Sequence, residues 1–521
     1  MLEKTQAEEN SSKSTNEKQA RALTYAAFVA GLCSIVYELL IATTVSYFLG
    51  DSVRYFSLTI GMYMAAMGVG SFCSKYINDN LLTRFLQFEI ALATLGGLSI
   101  PLLYLSYISS GLLIPTYVGL TCSIGFLIGL EIPFLTRLME SFKALKSNIA
   151  NILTFDYIGA LIATIAFPFF LLPVLGNFQS SLVLGLVNLS IIAVLMRYFG
   201  DSLGKAKTSI MVYLVMTFAV LAGGILFTSQ MLYEWDQALF NDRIVHAEQS
   251  PYQKIILTKN QDDIRLFLNG TIQFSSRDEH RYHEALVSYP LIFKESTSKR
   301  VLLLGAGDGL AVKELLKYPE IDSIVLVDLD ERVVELAKTN PHLSKLNGAS
   351  LASPKLEIVY TDAFNFLMDN TEGFDFIVSD LPDPNTIELS RLYTKQYYQA
   401  LRKNLNEGGV FVTQATSPYF ATKAFWSIHN TVRASGFNFV VPYHADVPSF
   451  GDWGFVMASD RPLSTAHQKS KLETSTFLNV DMLDAMRVFS KDQRIDDVEV
   501  NNIHQPILLT YYLEGWKSFG Y

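Results

Sequence analysis

Residues Val301–Asp308 read VLLLGAGD, and Gly309 follows. An apolar run of strand character stops there at a glycine-rich turn, and Leu310–Lys317 continues with a helix-compatible pattern. Ile324–Asp328, IVLVD, is a second apolar run, and it ends in an acid. Strand, glycine turn, helix, strand and acid in this order open a nucleotide-binding α/β fold. Gly305 and Gly307 let the chain turn tightly and let a ligand approach the backbone. Asp328 can accept both hydroxyls of a ribose.

Downstream, Lys355–Tyr360 predicts a third strand, followed by Asp362-Ala363, and Phe374–Asp380, FDFIVSD, a fourth that ends in an acid. Tyr393–Leu405 predicts a helix, Gly409–Gln414 a fifth strand and Ala424–Ala434 another helix, with late strands at Asn438–Pro442 and Trp453–Ala458. Strands alternating with helices predict a Rossmann-like, parallel-based sheet covered on both faces. Ligands bind beyond the carboxyl ends of such strands, where Asp308, Asp328, Asp362 and Asp380 all fall. Asp380 and Asp383 share a loop stiffened by Pro382 and Pro384. Asp308 and Asp380 end the first and fourth strands, which are neighbours in this fold, so the pocket mouth is acidic. Such a pocket suits a cationic substrate and repels anions. Upstream, Arg243–Thr258 and Ile264–Phe274 alternate apolar and polar residues, with Asn269-Gly270 as the turn signal. A small antiparallel β domain over 240–277 is expected, and a helical stretch, Asp278–Pro290, leads from it into the nucleotide fold.

The chain has 521 residues, too many for one ordinary core. With 50% hydrophobic and 17% charged residues and a positive mean hydropathy, it reads as a membrane protein with a soluble part. A net charge of -9 argues against a nucleic-acid partner. Cys33, Cys73 and Cys122 all lie in apolar segments, so neither a disulfide framework nor a cysteine metal site is implied. Residues 1–20 are polar and read as a disordered tail. Seven apolar segments follow at 22–48, 56–77, 85–106, 111–132, 149–174, 179–198 and 208–228, a multi-pass α-helical membrane domain over 21–230. Gly61, Ala65, Gly68 and Gly70 predict tight helix packing.

Lys18, Arg21, Lys75, Arg84, Arg137, Lys143, Lys146, Arg197, Lys205 and Lys207 flank alternate ends of these segments, and the other connections carry only Arg54. That asymmetry puts the N-terminus in the cytoplasm, and seven crossings then leave the soluble half outside. A cytosolic co-substrate requires the opposite side, unless a segment such as Pro168–Pro173 re-enters. The expected location is the cell inner membrane. Glu38, Glu131 and Asp156 lie inside or at the ends of apolar segments, where an ionisable group is either functional or paired for packing.

The C-terminal half resembles the polyamine aminopropyltransferases, the spermidine synthase family. The residues that carry this are Gly305-Ala306-Gly307-Asp308-Gly309, the strand ending at Asp328, Asp362-Ala363 and Asp380-x-x-Asp383-Pro384. Ser250-Pro251-Tyr252-Gln253, Asp278-Glu279 with Tyr282-His283-Glu284, and Trp453-Gly454-Phe455 add to them. The likeness covers about residues 240–460. Tyr37-Glu38, Gly129-x-Glu131-x-Pro133 and Asp156 before Gly159 resemble the multi-pass extension of some bacterial members.

The resemblance implies aminopropyl transfer from decarboxylated S-adenosylmethionine, as co-substrate, to an amine. Putrescine is the expected acceptor, with spermidine and methylthioadenosine as products and no prosthetic group or metal. It implies that Gln253 and Asp328 hold the ribose region, Asp362 and Ala363 the adenine, and Gly305 and Gly307 the nucleoside turn. Asp308 would hold the amino end of the aminopropyl group. Asp380 would face the attacking amine, and Asp383 the substrate or its far ammonium. Tyr282 and His283 would line the amine entrance. A homodimer is implied in the same way.

The chemistry fits, because an ammonium has no lone pair and a carboxylate can accept the proton it must lose. The family continues its second acidic motif with glycine-proline, whereas Pro384 is followed here by Asn385-Thr386-Ile387. An S-adenosylmethionine-dependent methyltransferase shares the fold, and a membrane transporter or sensor binding polyamine or nucleoside is the non-enzymatic alternative. The expected domains are 1–20, 21–230, 240–277, 278–460, and a C-terminal extension at 461–521 packed on the catalytic domain.

Overall fold

The structure is a computed structural model that describes the backbone except at residues 1, 50–51, 110, 141, 143–144, 295–298, 464–471 and 520–521. Lys143 lies outside the described residues, as does the side chain of Lys146. The chain divides into two units, Met1–Asn241 and Asp242–Tyr521.

The first unit is helical: α1 (Leu2–Leu49), α2 (Ser52–Cys73), α3 (Leu81–Ile108), α4 (Leu113–Met139), α5 (Leu145–Ala166), α6 (Gly176–Phe199) and α7 (Ala206–Leu226). The polar stretch 1–20, expected to be disordered, is instead helical backbone from Leu2. It holds no glycine or proline and is rich in Glu, Lys, Gln and Ala, all good helix formers. Six helical stretches among the described residues are long and apolar enough to cross a membrane, rather than the seven expected. The segments at 149–174 and 179–198 fall in one of them, Ser147–Leu203, of 57 residues. Its first leg ends in a widened π-type helix, Phe167–Leu175, which contains Pro168 and Pro173. Gly176, with φ +68°, then leaves helix geometry, and the Ser180 hydroxyl donates back to the Leu171 carbonyl (3.1 Å).

α6 runs antiparallel to α1, because Gln19 meets Tyr198, Tyr25 meets Ser190 and Cys33 meets Leu184. The small residues of α2 behave differently from expectation. Gly61, Ala65 and Gly68 lie on an exposed face, and only Gly70 sits in a helix contact, where a Cβ would stand 2.1 Å from the Phe126 carbonyl oxygen of α4.

The second unit opens with an antiparallel sheet, β1 (Arg243–Gln249), β2 (Lys254–Asn260), β3 (Asp263–Leu268) and β4 (Thr271–Ser275), in sequential order. Asn269 and Gly270, both at positive φ (50° and 81°), form the turn between β3 and β4. The second sheet holds β5 (Arg300–Gly305), β6 (Ser323–Asp328), β7 (Leu356–Tyr360), β8 (Phe374–Asp380), β9 (Leu405–Gln414), β10 (Phe439–Val447) and β11 (Gly451–Ser459). Their order is β10-β11-β9-β8-β5-β6-β7, with β5 to β9 parallel and the last two antiparallel. On β5, Val301 and Leu303 enter one hydrophobic cluster while Leu302 and Leu304 enter another, so both faces are covered. The strand order reverses between β5 and β8, where ligands bind in sheets of this kind.

Candidate active site

Gly305, the last residue of β5, pairs with Asp380, the last of β8. Its φ is +83°, and a Cβ would stand 2.0 Å from the Asp380 carbonyl oxygen, so only glycine fits. Gly307 is needed for space alone, since its Cβ would stand 2.5 Å from Oδ2 of Asp328. The turn thus presses the first strand's exit against both the second strand's acid and the fourth strand's end.

Asp308, Asp328 and Asp380 are half-buried and Asp383 is buried. Burial pushes all four carboxyls up, to about 6 for Asp328, Asp380 and Asp383. The charge of Asp308 adds to the shift of Asp380, while His283 and the Tyr282 hydroxyl oppose it. Tyr282 donates to Oδ1 of Asp380 at 2.6 Å, held among His283, Phe450 and Phe455. Desolvation and the Asp380 carboxylate raise the Tyr282 phenol well above its ordinary value, so it remains a donor.

His283 does not line an entrance. It is buried, with Nδ1 at 3.0 Å from Oε2 of Glu279, whose Oε1 accepts from Lys313 at 2.7 Å. Burial alone would lower the imidazole, but the Glu279 carboxylate lifts it to about 9. For Glu279, burial is outweighed by His283 and Lys313, and its carboxyl falls to about 2. The imidazolium formed is a fixed positive charge in electrostatic reach of Asp308 and Asp380.

Gln253 reaches Asp330 rather than Asp328, with Nε2 donating to Oδ2 at 2.9 Å, and the Ser250 hydroxyl donates to the same oxygen at 2.6 Å. Asp330 also caps the helix Glu331–Thr339 through the Arg332 amide (3.1 Å). One buried carboxylate therefore ties the small sheet to the nucleotide sheet beside Asp328, whose Oδ1 accepts from the Asp330 amide (2.9 Å). Asp362 caps the helix Ala363–Asp369 through the Asn365 amide (2.9 Å) and pairs with Arg391 at 2.6 Å. Ala363 begins that helix and is buried.

The loop after Asp380 is held from two sides. Gln414, ending β9, donates to the Leu381 carbonyl (2.8 Å) and to Oδ1 of Asp383 (3.2 Å), and the Tyr393 hydroxyl donates to the Leu381 and Pro382 carbonyls (3.1 and 3.0 Å). The C-terminal extension supplies the rest. Tyr512, on the helix Ile507–Ser518, donates its hydroxyl to Asp383. Buried Asn501 donates to the Ser390 and Tyr393 carbonyls (3.0 and 3.1 Å). The sequence of this extension carries no chemical motif, and nothing local marks Tyr512. Asp330 and Gln414 carried a weak signal, as an acid just past the second strand and an amide at a strand's carboxyl end.

A parallel sheet whose switch point gathers partly buried carboxylates beyond a glycine turn is the arrangement of a nucleoside-binding enzyme with a cationic second substrate. The spermine/spermidine synthase domain matches residues 279–469. A polyamine aminopropyltransferase of Leptospira interrogans is 39% identical over 501 residues, covering 95% of this chain and 99% of its own. One of Oceanobacillus iheyensis is 37% identical over 509 residues, covering 96% and 99%. The solved spermidine synthase of Thermotoga maritima is 25% identical, covering 48% of this chain and 85% of its own with a TM-score of 0.44.

The chain belongs to the polyamine aminopropyltransferase family. It is an enzyme that transfers an aminopropyl group to a diamine, with decarboxylated S-adenosylmethionine as co-substrate.

Proposed function

We propose that the acceptor is putrescine, that the products are spermidine and methylthioadenosine, and that Asp380 is the group that receives the amine's proton. The hydrogen bond from Tyr282 to Asp380 at the sheet's switch point carries this reading, because it holds the carboxylate in one orientation toward the pocket. The amine nitrogen attacks the aminopropyl carbon attached to the sulfonium. A carbon–nitrogen bond forms, the carbon–sulfur bond breaks, and the electron pair stays on sulfur. The proton lost by nitrogen passes to Asp380. The leaving group is already cationic, so alignment of nitrogen, carbon and sulfur supplies much of the remaining gain.

Asp308 holds the amino end of the aminopropyl group. Asp328 binds the ribose, with Gln253 acting on it through Asp330. Asp362 and Ala363 flank the adenine, and Gly305 and Gly307 leave the space the nucleoside needs. Asp383 takes the far ammonium of the diamine. Tyr282 orients Asp380, and His283 tempers the negative charge of the acid cluster.

The first unit lies in a lipid bilayer of the cell inner membrane, with its basic connections and N-terminus on the cytoplasmic side. Supporting this are the apolar stretches themselves and the many large apolar side chains they expose, among them Phe169, Phe170, Met216 and Phe218. The catalytic units pair as a homodimer, as the family likeness implies.

The test is a product assay on detergent-purified protein with decarboxylated S-adenosylmethionine and a panel of amines. Methylthioadenosine formed with putrescine and lost in Asp380→Asn is expected. Turnover with another amine and none with putrescine would overturn the acceptor, and full turnover in Asp380→Asn would overturn the assignment of the base.

A further inference from the structure

At the basic end of the first unit, α1 and α5 leave a groove between them. Asp156 of α5 and Leu184 of α6 both meet α1 within one turn, at Gly31 and Cys33. A continuous helix would hold those two positions about 40 Å apart, so α5 and α6 fold back on each other. α6 runs against α1, and α5 therefore runs with it. The two parallel helices touch at glycine. A Cβ on Gly31 would stand 2.2 Å from the Asp156 carbonyl oxygen, and one on Gly159 would stand 2.2 Å from that of Phe28.

On the N-terminal side of this contact lies a cavity of about 540 Å³, whose walls include Arg21, Tyr25 and Phe28 of α1 and Asn151, Phe155 and Ile158 of α5. Because the helices are parallel, the walls are graded. Arg21 and Asn151 stand together at one end, and Phe28 and Ile158 stand two turns further in, about 10 Å along the axis. Tyr25, Phe155 and Ile158 are 38%, 39% and 41% exposed, so the apolar part is uncovered. The polar part has room for a partner too. The Asn151 amide has no hydrogen-bond partner among the described residues. Arg21 has Glu17 of its own helix at 4.0 Å, a pair with side chains 83% and 75% exposed and therefore weak. Lys18, Arg197 and Lys207 add positive charge at this end, because Gln19 meets the Tyr198 carbonyl and Lys207 reaches Gly200.

We propose that this groove binds one anionic glycerophospholipid, with its phosphodiester on Arg21 and Asn151 and an acyl chain along Phe28, Phe155 and Ile158. The proposal rests on the reading of the first unit as bilayer-embedded. The grading matches such a lipid, whose charge sits at the interface and whose chain points to the bilayer centre. A guanidinium and an amide both donate to phosphate oxygens. A zwitterionic lipid brings its own cation, which the basic end repels, so the groove discriminates by charge.

Native mass spectrometry of the detergent-purified full chain tests it, with phosphatidylglycerol and phosphatidylcholine of the same acyl chains competing. One retained phosphatidylglycerol is expected, favoured about tenfold. Arg21→Gln should erase the preference, and Ile158→Trp, which fills the apolar end, should expel the lipid. Both should keep wild-type kcat and KM, which shows that the chain has folded. Equal retention of the two lipids by the wild type, an intact preference in Arg21→Gln, or a retained lipid in Ile158→Trp overturns the proposal. So does displacement of phosphatidylglycerol by glycerol 3-phosphate, which would make the site one for a free phosphate. A chain that needs detergent but shows no lipid preference overturns this proposal alone. Recovery of the chain in the soluble fraction without detergent overturns the bilayer reading and this proposal with it.

Discussion

Asp380 combines two demands that oppose each other. To receive a proton it must be ionised, yet burial and the neighbouring Asp308 hold its carboxyl up at about 6. The acid limb of kcat/KM is therefore expected near pH 6, with activity falling below it as the carboxyl protonates. The Tyr282 hydroxyl lowers that value, so Tyr282→Phe should move the limb to higher pH, and a pH–rate profile reads the displacement. Asp380→Asn should cost a factor of about 10²–10⁴ in turnover. The same residue makes a stability prediction of opposite sense. The folded carboxyl binds its proton more tightly than the unfolded one, so the wild type loses stability as pH rises from about 4 through 6. Asn pays no such penalty. Asp380→Asn should thus melt higher than the wild type at pH 8, by up to about 3 kcal/mol, with the difference gone at pH 4. Equal melting at both pH values would mean that the site is more open to water than its shape implies.

Among the elements, the glycine turn was the most legible and the C-terminal extension the least. Gly305, Gly307 and the acids at the strand ends announce themselves because strand, turn and helix are set by local sequence. The fold they imply sets the first and fourth strands side by side, as the β5–β8 pairing shows, although β5 ends at Gly305 and Asp308 lies three residues beyond it in the turn. Gln253 was given the ribose, but it bonds Asp330, because the loop between β1 and β2 crosses to the start of a helix that sequence cannot bring near. His283 was set at an entrance, yet lies beneath the site because Glu279, one helical turn earlier, draws it inward. Glu131 stood out as an acid in an apolar run, but its partner Glu89 emerged only from helix packing. Two substitutions test the elements. Gly307→Ala puts a carbon 2.5 Å from Asp328, and should raise the KM for decarboxylated S-adenosylmethionine while sparing that of the amine. Tyr512→Phe removes a donor from Asp383 and should do the reverse, raising the amine KM about tenfold. Initial-rate kinetics with each substrate varied separately distinguish the two.

At the scale of the whole molecule, the connectivity of the helices bears on where the catalytic unit works. α6 runs against α1 and α7 follows it, so the basic connections and the N-terminus share one side while the chain leaves α7 at the other. Protease added outside sealed spheroplasts is then expected to cut beyond Asp242 and to spare the N-terminus. Protection of the C-terminal unit would instead put it with a cytosolic co-substrate and, with α6 running against α1, would put the N-terminus outside. The clamp that Asn501 and Tyr512 form over the acidic loop also has a consequence in time. Those residues leave the ribosome long after the glycine turn and the strands that flank it. A nascent chain can therefore insert its helices and close its nucleoside sheet while the amine pocket stands half-built, and the pocket is complete only once Tyr512 has emerged.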